Sequence, residues 1–177
     1  LIEVDQVRLL TDPWYEGYCF NGGWGLRFKN EQAWKKAATA THLWISHYHG
    51  DHFHPPTLKK LLALNPDITV IGNNSYNFQM DDSLKKLGFK NVISFKERKA
   101  IRLNPDTEII RYPTTGIDNM LVVRSKSGTV LNYNDCSLPV STRKKLGRKI
   151  GKVDLFLSNF NHAGKLLLYP YPSDEEI

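Results

Sequence analysis

The chain has 177 residues and a mass of 20.3 kDa, which predicts a single domain over residues 1–177 and excludes a second domain of ordinary size. Hydrophobic residues make up 41% and charged residues 24%, a globular composition that excludes intrinsic disorder and collagen-like repeats. The formal net charge is +6, from 24 basic and 18 acidic residues, and it favours an anionic substrate or partner.

The first half of the chain alternates predicted strands with predicted helices. Apolar runs on either side of Asp5-Gln6 predict a hairpin, and residues 11–28, rich in Gly, Asn, Pro and aromatics, predict a long loop. Helix formers and leucines at helical spacing then predict helices, and short apolar runs between them predict buried strands. The predicted helices cover 31–40, 57–64 and 76–87, and the predicted strands cover 43–46 and 68–71.

The second half contains mostly strands that follow one another directly. These cover 92–95, 100–103, 108–112, 120–124, 129–133 and 153–157, with one basic helix over 140–150. Alternating elements followed by consecutive strands favour an α/β sandwich over a doubly wound sheet.

The expected cellular compartment rests on sequence signals that are absent. No apolar run approaches the roughly 20 residues of a membrane helix, so no membrane span is predicted. Cys19 and Cys136 stand in neither a CxxC nor a zinc-finger spacing, and no signal peptide opens the sequence. A reducing, cytoplasmic setting is therefore expected.

A histidine-rich motif follows the strand predicted at 43–46. Residues 46–52 read SHYHGDH, an HxHxDH pattern. Alternation along an extended backbone points His47 and His49 the same way. Gly50 is expected to turn the backbone so that Asp51 and His52 face the same centre. Imidazoles and a carboxylate suit zinc, iron or manganese; the alternative is a solvated histidine-rich loop.

The motifs TDPW, FNGGW, SHYHGDH, PTLKKL and LNYNDC together resemble the metallo-β-lactamase fold superfamily. Within it, the chain resembles the branch with CMP-N-acetylneuraminate hydroxylase and, more distantly, ascorbate 6-phosphate lactonases and N-acylphosphatidylethanolamine phospholipase D enzymes. The likeness runs from residue 1 to about residue 154. It implies a four-layer αββα sandwich, incomplete at its C-terminus, that binds one or two divalent metal ions, with zinc expected first and iron or manganese as alternatives.

The resemblance also implies which side chains bind the metals. His47 and His49 would hold the first metal, Asp51 and His52 the second, and Asp135 would bridge both. Such a pair lowers the pKa of a water molecule and polarises the bond under attack. Asp51 is the candidate catalytic residue, because it could orient or deprotonate that water.

The chain departs from the family where a third histidine of the first metal is expected. No histidine occurs between positions 55 and 134. Thr114 or Thr115 stands where that ligand would be, and Asp118 is the nearby carboxylate. The first site could therefore be under-coordinated or completed by a carboxylate, or the metal content could be reduced.

Other residues near these motifs have competing interpretations. Asp12 could orient a ligating histidine or simply form a turn before Pro13. With Asp118, it is a candidate for contacting either a ligating histidine or the substrate. His54 is interpreted as a loop residue that supports the site rather than a ligand.

Structural roles are expected for most of the aromatic and basic residues in these segments. Trp14, Phe20 and Trp24 could line a substrate cleft, but closing the core beneath the loop is favoured. The basic run 143–152 is interpreted as the solvated face of a helix, which makes nucleic acid an unlikely partner. Cys136 is expected to be a buried thiol.

The C-terminal end of the sequence suggests a longer polypeptide. Ser173 and Glu176 form a capping box that would begin a helix just where the sequence ends, and the sequence begins with Leu1. We expect the natural gene product to exceed 20.3 kDa by intact-mass analysis. His162 is the remaining histidine that could serve the second metal, and no role is assigned to it.

Three functions remain open at this stage. The first is hydrolysis of a phosphoester, lactone or amide of an anionic small molecule, the commonest chemistry on this fold. The second is oxygenation at a non-haem iron, for which electrons would come from a partner, because the chain lacks the paired Cys and His residues of a Rieske centre. The third is a degenerate, non-catalytic metal-binding domain.

Overall fold

The computed structural model describes residues 1–28, 30–74, 78–95, 99–114 and 116–159. Twelve strands, β1 to β12, lie in this part of the chain: Ile2–Val4, Val7–Thr11, Tyr18–Cys19, Trp24–Gly25, His42–Trp44, Thr69–Gly72, Asn91–Ser94, Ala100–Asn104, Thr107–Pro113, Asn119–Ser125, Gly128–Asn134 and Leu155–Ser158. Four α-helices, α1 to α4, lie there too: Glu31–Ala37, Pro55–Leu64, Met80–Leu87 and Val140–Ile150.

The first sheet has the strand order β1-β2-β5-β6-β7. Its β1–β2 hairpin confirms the predicted turn: Asp5 and Gln6 have φ values of 42° and 67°, the left-handed values that a two-residue hairpin turn requires. Strands β2, β5, β6 and β7 are parallel to one another. Their carboxyl ends therefore share one edge, where Asp12, the histidine motif and Asn73 follow β2, β5 and β6.

The second sheet has the strand order β12-β11-β10-β9-β8. Neighbouring strands in this sheet are antiparallel, except that β12 runs parallel to β11. Asp118 precedes β10 and Asp135 follows β11. Because β10 and β11 are antiparallel partners joined at their other ends, both carboxylates lie at the same edge of this sheet.

Three hydrophobic clusters show how the sheets and helices stack. The first packs α1, α2 and α3 against one face of the first sheet and includes Leu58. The second fills the space between the sheets and includes Trp44 and Leu121. The third packs α4 against the outer face of the second sheet and includes Val122 and Ile150. Leu121 and Val122 are consecutive in β10 and point into different clusters, so this strand is buried on both faces. The order helix, sheet, sheet, helix confirms the four-layer αββα sandwich.

Helix α2 begins directly after the histidine motif, and its start is capped. Nδ1 of His54 accepts a hydrogen bond from the Thr57 amide at 3.2 Å, and Pro55 occupies the first helical turn, where a missing N–H costs nothing. His54 is buried and used as this cap. Gly88 ends α3 with φ 109°, as predicted for a C-terminal stop.

Several element boundaries differ from the prediction. The helix predicted over 76–87 begins at Met80, and the loop predicted over 11–28 contains the small β3–β4 hairpin. The basic helix α4 buries Ile150 and exposes its basic side chains, as predicted. Thr115, His162 and the capping box at 173–176 lie outside the described residues. Among the residues that are described, no helix is long and apolar enough to cross a membrane.

Candidate metal centre

The HxHxDH motif lies in the loop between β5 and α2, at the edge where both sheets end. The His49 carbonyl accepts hydrogen bonds from the amides of His52 at 3.0 Å and Phe53 at 2.7 Å, and these bonds turn the backbone after His49. Gly50 does not have a positive φ. The expectation that glycine sets this turn through a special conformation is therefore wrong.

His47 and His49 meet at the centre, as their alternation predicted. His47 Nε2 lies 2.9 Å from His49 Nδ1, and the other ring nitrogen of His47 lies 2.9 Å from the Ser46 hydroxyl. Burial of His47, reinforced by neighbouring His52, lowers the pKa of His47 to about 4. The His47 imidazole is therefore neutral at physiological pH and offers a lone pair.

His52 is surrounded by three carboxylates. Its Nε2 lies 3.1 Å from Asp135 Oδ2 and 3.4 Å from Asp51 Oδ2, and its Nδ1 lies 3.4 Å from Asp12 Oδ2. Burial opposes a charge on His52, but hydrogen bonds to Asp12, Asp135 and Asp51 outweigh it and raise the pKa of His52 to about 12. The hydrogen bond from His52 lowers the pKa of Asp135 to about 2.

The side chains converge closely enough for a metal ion. Ligand atoms of His47, His52 and Asp135 all lie within 4.8 Å of one another, and they come from both sheets. Two imidazoles and a carboxylate are donors that zinc, iron and manganese accept, and a bound cation would displace the proton that the three carboxylates hold on His52.

An unpartnered oxygen gives an independent test of this fit. Oδ1 of Asp51 is buried and receives no hydrogen bond from any other described residue. A buried carboxylate oxygen without a donor is costly, and a cation would satisfy it. The part of the chain that the structure describes therefore fits a divalent metal ion.

Asp12 contacts the metal loop and the Nδ1 side of His52. Its Oδ1 accepts a 2.7 Å hydrogen bond from the Ser46 amide while its other oxygen faces His52. Sequence reasoning missed two partners in this support, Ser46 and Asn119. The Ser46 hydroxyl lies between the Nδ1 atoms of His47 and His52. The side-chain amide of Asn119 donates to the Ser46 carbonyl at 2.7 Å. The sequence feature that could have indicated this role is Ser46 itself, a polar residue at the end of an otherwise apolar predicted strand.

Asp118 also lies at the centre. Its Oδ1 is 3.6 Å from His47 Nε2, and its side chain is 28% exposed. Burial, with a contribution from the charge of Asp135, raises the pKa of Asp118. The structure thus brings together every residue predicted for the site, Asp12, His47, His49, Asp51, His52, Asp118 and Asp135.

Two aromatic side chains lie beside the metal loop instead of in the core. Phe20 and Trp24 are each 46% exposed, so the favoured expectation that they close the core is wrong. The ring centroid of Phe20 is 6.1 Å from that of His49 and 4.9 Å from that of Trp24. Buried Cys19 anchors this hairpin, because its thiol donates to the Gly50 carbonyl at 3.0 Å. Burial, then the charge of Asp51, raises the pKa of Cys19 to about 11.

Curated proteins similar in sequence are hydroxylases. The chain is 30% identical over 164 residues to the cytidine monophosphate-N-acetylneuraminic acid hydroxylase of Asterias rubens and 31% identical over 166 residues to the human protein, which is named as inactive. Each match includes 90% of this chain but only 24% and 32% of those proteins. The chain thus spans about a quarter to a third of these relatives. No family model matches it.

Solved structures with a similar fold are metallo-β-lactamase fold proteins and metallo hydrolases. YhfI of Bacillus subtilis aligns with a TM-score of 0.50 and 20% identity, covering 68% of this chain and 50% of that one. Igni18 of Ignicoccus hospitalis, a metallo hydrolase, aligns with a TM-score of 0.52 and 17% identity over 80% of this chain and 59% of its own. With its two five-stranded sheets and its histidine motif at their shared edge, the chain has the metallo-β-lactamase fold.

Proposed function

We propose that the protein is a metal-dependent hydrolase that acts on a phosphoester, lactone or amide of an anionic small molecule. The observation that carries the proposal is the cluster of His47, His52 and Asp135 beside the unpartnered oxygen of Asp51. The cluster would hold one or two divalent ions, of zinc, iron or manganese. The metallo hydrolase described above supports a hydrolytic reaction at the level of the fold.

The chemistry would be divided between the metal and the chain. A divalent metal bound here supplies a water molecule of lowered pKa and polarises the bond under attack. With Oδ1 of Asp51 contacting the cation, the other carboxylate oxygen, Oδ2, would orient that water or accept its proton. In the overall reaction, the water oxygen would bond to phosphorus or to the carbonyl carbon, the bond to the leaving group would break, and the leaving group would take up the proton that the water lost.

An anionic substrate is supported by a cavity on the His47 side of the centre. The cavity has a volume of about 250 Å³, and its lining includes His47, Arg111, Asn73, Asn74 and Asn119. A guanidinium binds phosphate and carboxylate groups through several donors at once. The net charge of +6 would also attract an anion.

Loss of ligands tests the proposal. His49→Ala and Asp51→Ala should abolish metal uptake, because each removes a donor from the centre. The measurement is metal content after dialysis, followed by turnover of a generic phosphodiester. His42→Ala, at the amino end of strand β5, is the matched control and should bind metal normally. Unchanged metal stoichiometry in both site variants would refute the proposal.

The sequence relatives favour a second candidate, an oxygenase resembling CMP-N-acetylneuraminate hydroxylase. Oxygenation puts one atom of O₂ into the substrate and reduces the other to water, with two electrons and two protons from an electron-transfer partner. Bound iron with turnover that requires oxygen and a reductant would favour this reaction. Bound zinc or manganese with hydrolytic turnover would favour the hydrolase, and absence of bound metal would point to a non-catalytic domain.

A further inference from the structure

We propose that Asp118 is the third protein ligand of the first metal, completing a set of two imidazoles and one carboxylate with His47 and His49. This inference rests on the proposed function, since it requires the centre to bind metal. It assigns to Asp118, a few residues away, the role that the missing third histidine would otherwise have.

The distances from His47 to the other two side chains suit ligands of one ion. His47 Nε2 lies 2.9 Å from His49 Nδ1 and 3.6 Å from Asp118 Oδ1. Two ligand atoms about 2.1 Å from one metal are about 3.0 Å apart at a right angle and about 3.4 Å apart at the tetrahedral angle. The nitrogen shared by both distances, Nε2 of His47, is the one turned away from Ser46.

Thr114, one of the two threonines at the position of the missing histidine, has a different role. Its amide and its hydroxyl both donate to the Asp118 carbonyl at 3.0 Å. The next residue, Asn119, donates to the Ser46 carbonyl of the metal loop at 2.7 Å. Because the hydroxyl of Thr114 is engaged with the backbone, Thr114 positions Asp118 instead of binding metal.

The donor set has consequences for the choice of metal. Two histidines and one carboxylate with open positions are the usual ligands of non-haem iron(II), and carboxylate oxygen also suits manganese. A third histidine would make the site closer to a zinc centre. The first site should therefore hold iron or manganese better, relative to zinc, than a three-histidine site would.

Substitutions at this position separate a ligand from a positioning residue. Asp118→Asn should lower the affinity of the first site for manganese by more than about 100-fold, beyond the 10- to 100-fold loss typical of removing an outer partner of a ligand. Asp118→His should restore binding and shift the preference toward zinc. The control is Asp106→Asn, which makes the same change at the opposite end of the same sheet, where Asp106 pairs with Lys126. Calorimetric titration with manganese and zinc, with the melting temperature as a check of folding, measures all four proteins.

Each outcome decides between the two proposals. Unmodified protein that binds no metal would overturn the proposed function and, with it, this inference. If the unmodified protein binds metal and Asp118→Asn binds it equally well, the ligand role of Asp118 is overturned and the proposed function stands. A folded Asp118→Asn variant with weakened binding, together with an Asp118→His variant that binds and prefers zinc, supports the inference. Failure of a folded Asp118→His variant to bind either ion would count against it.

Discussion

At the scale of single residues, the centre depends on what each ring nitrogen contacts. The Ser46 hydroxyl lies near the Nδ1 atoms of both His47 and His52, at 2.9 and 3.3 Å. Both Nε2 atoms are thereby turned toward the centre. Such outer partners fix the tautomer and orientation of a ligating histidine, and Asp12 adds a carboxylate to the same side of His52.

Two substitutions of Asp12 distinguish the effect of its negative charge from the effect of its hydrogen bond to Ser46. Asp12→Asn keeps an acceptor for the Ser46 amide but removes the negative charge beside His52, so we expect metal affinity to fall by about 10- to 100-fold with little change in stability. Asp12→Ala also leaves the Ser46 amide without its partner and should cost a further 1 to 3 kcal/mol, roughly, in the free energy of unfolding. Competition with a metal-binding dye and urea denaturation measure the two effects. Equal metal affinity in Asp12→Asn and unmodified protein would show that Asp12 only shapes the turn before Pro13.

At the scale of elements, the junction of β6, β7 and α3 holds the sheet edge beside the centre. Asp81 in α3 is buried, and its Oδ2 accepts hydrogen bonds from Ser94 at 2.5 Å and from Asn74 at 2.9 Å. Gly72, the last residue of β6, leaves room for this carboxylate, because a Cβ there would overlap Asp81 Oδ1. Asn73, which lines the cavity, follows directly.

Alanine at two glycines should therefore have opposite effects. Gly72→Ala should destabilise the protein by about 1 to 3 kcal/mol, because the added methyl group displaces a buried, hydrogen-bonded carboxylate. Gly147→Ala is the control: Gly147 lies inside α4 with open space around it, and alanine there should stabilise the helix by about 1 kcal/mol. Urea denaturation of both variants gives the comparison. A Gly72→Ala variant as stable as the unmodified protein would mean that Asp81 is not confined by this strand end.

Helices and strands whose apolar residues recur at a regular spacing could be predicted from the sequence, and elements too short to show such a spacing could not. Strands of the second sheet alternate or continue in apolar residues, and α2 and α4 have leucines or isoleucine at helical spacing, so their positions are confirmed within a few residues. Strands β3 and β4 have two residues each, too few for any period. The sequence therefore gives no sign that Phe20, which lies between these strands, and Trp24 are exposed beside the centre instead of buried in the core.

At the scale of the whole molecule, the centre exists only where the two sheets meet. His47 and His52 follow a strand of the first sheet, whereas Asp118 and Asp135 flank strands of the second. The local motif predicted the first group, and family resemblance supplied Asp135. Contact between Asp118 and His47 depends on how the sheets pack through Trp44 and Leu121, which no local pattern encodes.

Because both sheets contribute ligand atoms, metal binding should stabilise the whole fold. An ion that binds only the folded chain adds about 2.7 kcal/mol when its free concentration is 100 times Kd. For a chain of this size, that corresponds to a rise of about 5 to 10 °C in Tm. We expect calorimetry to show this rise when manganese, iron(II) or zinc is added to metal-free protein, and a chelator to reverse it. Asp51→Ala, which should not take up metal, serves as the control and should melt at the same temperature with and without the ion. A metal that binds the protein but leaves Tm unchanged would have to bind the unfolded chain as tightly as the folded one, contrary to a centre formed by His47, His52 and Asp135 across both sheets.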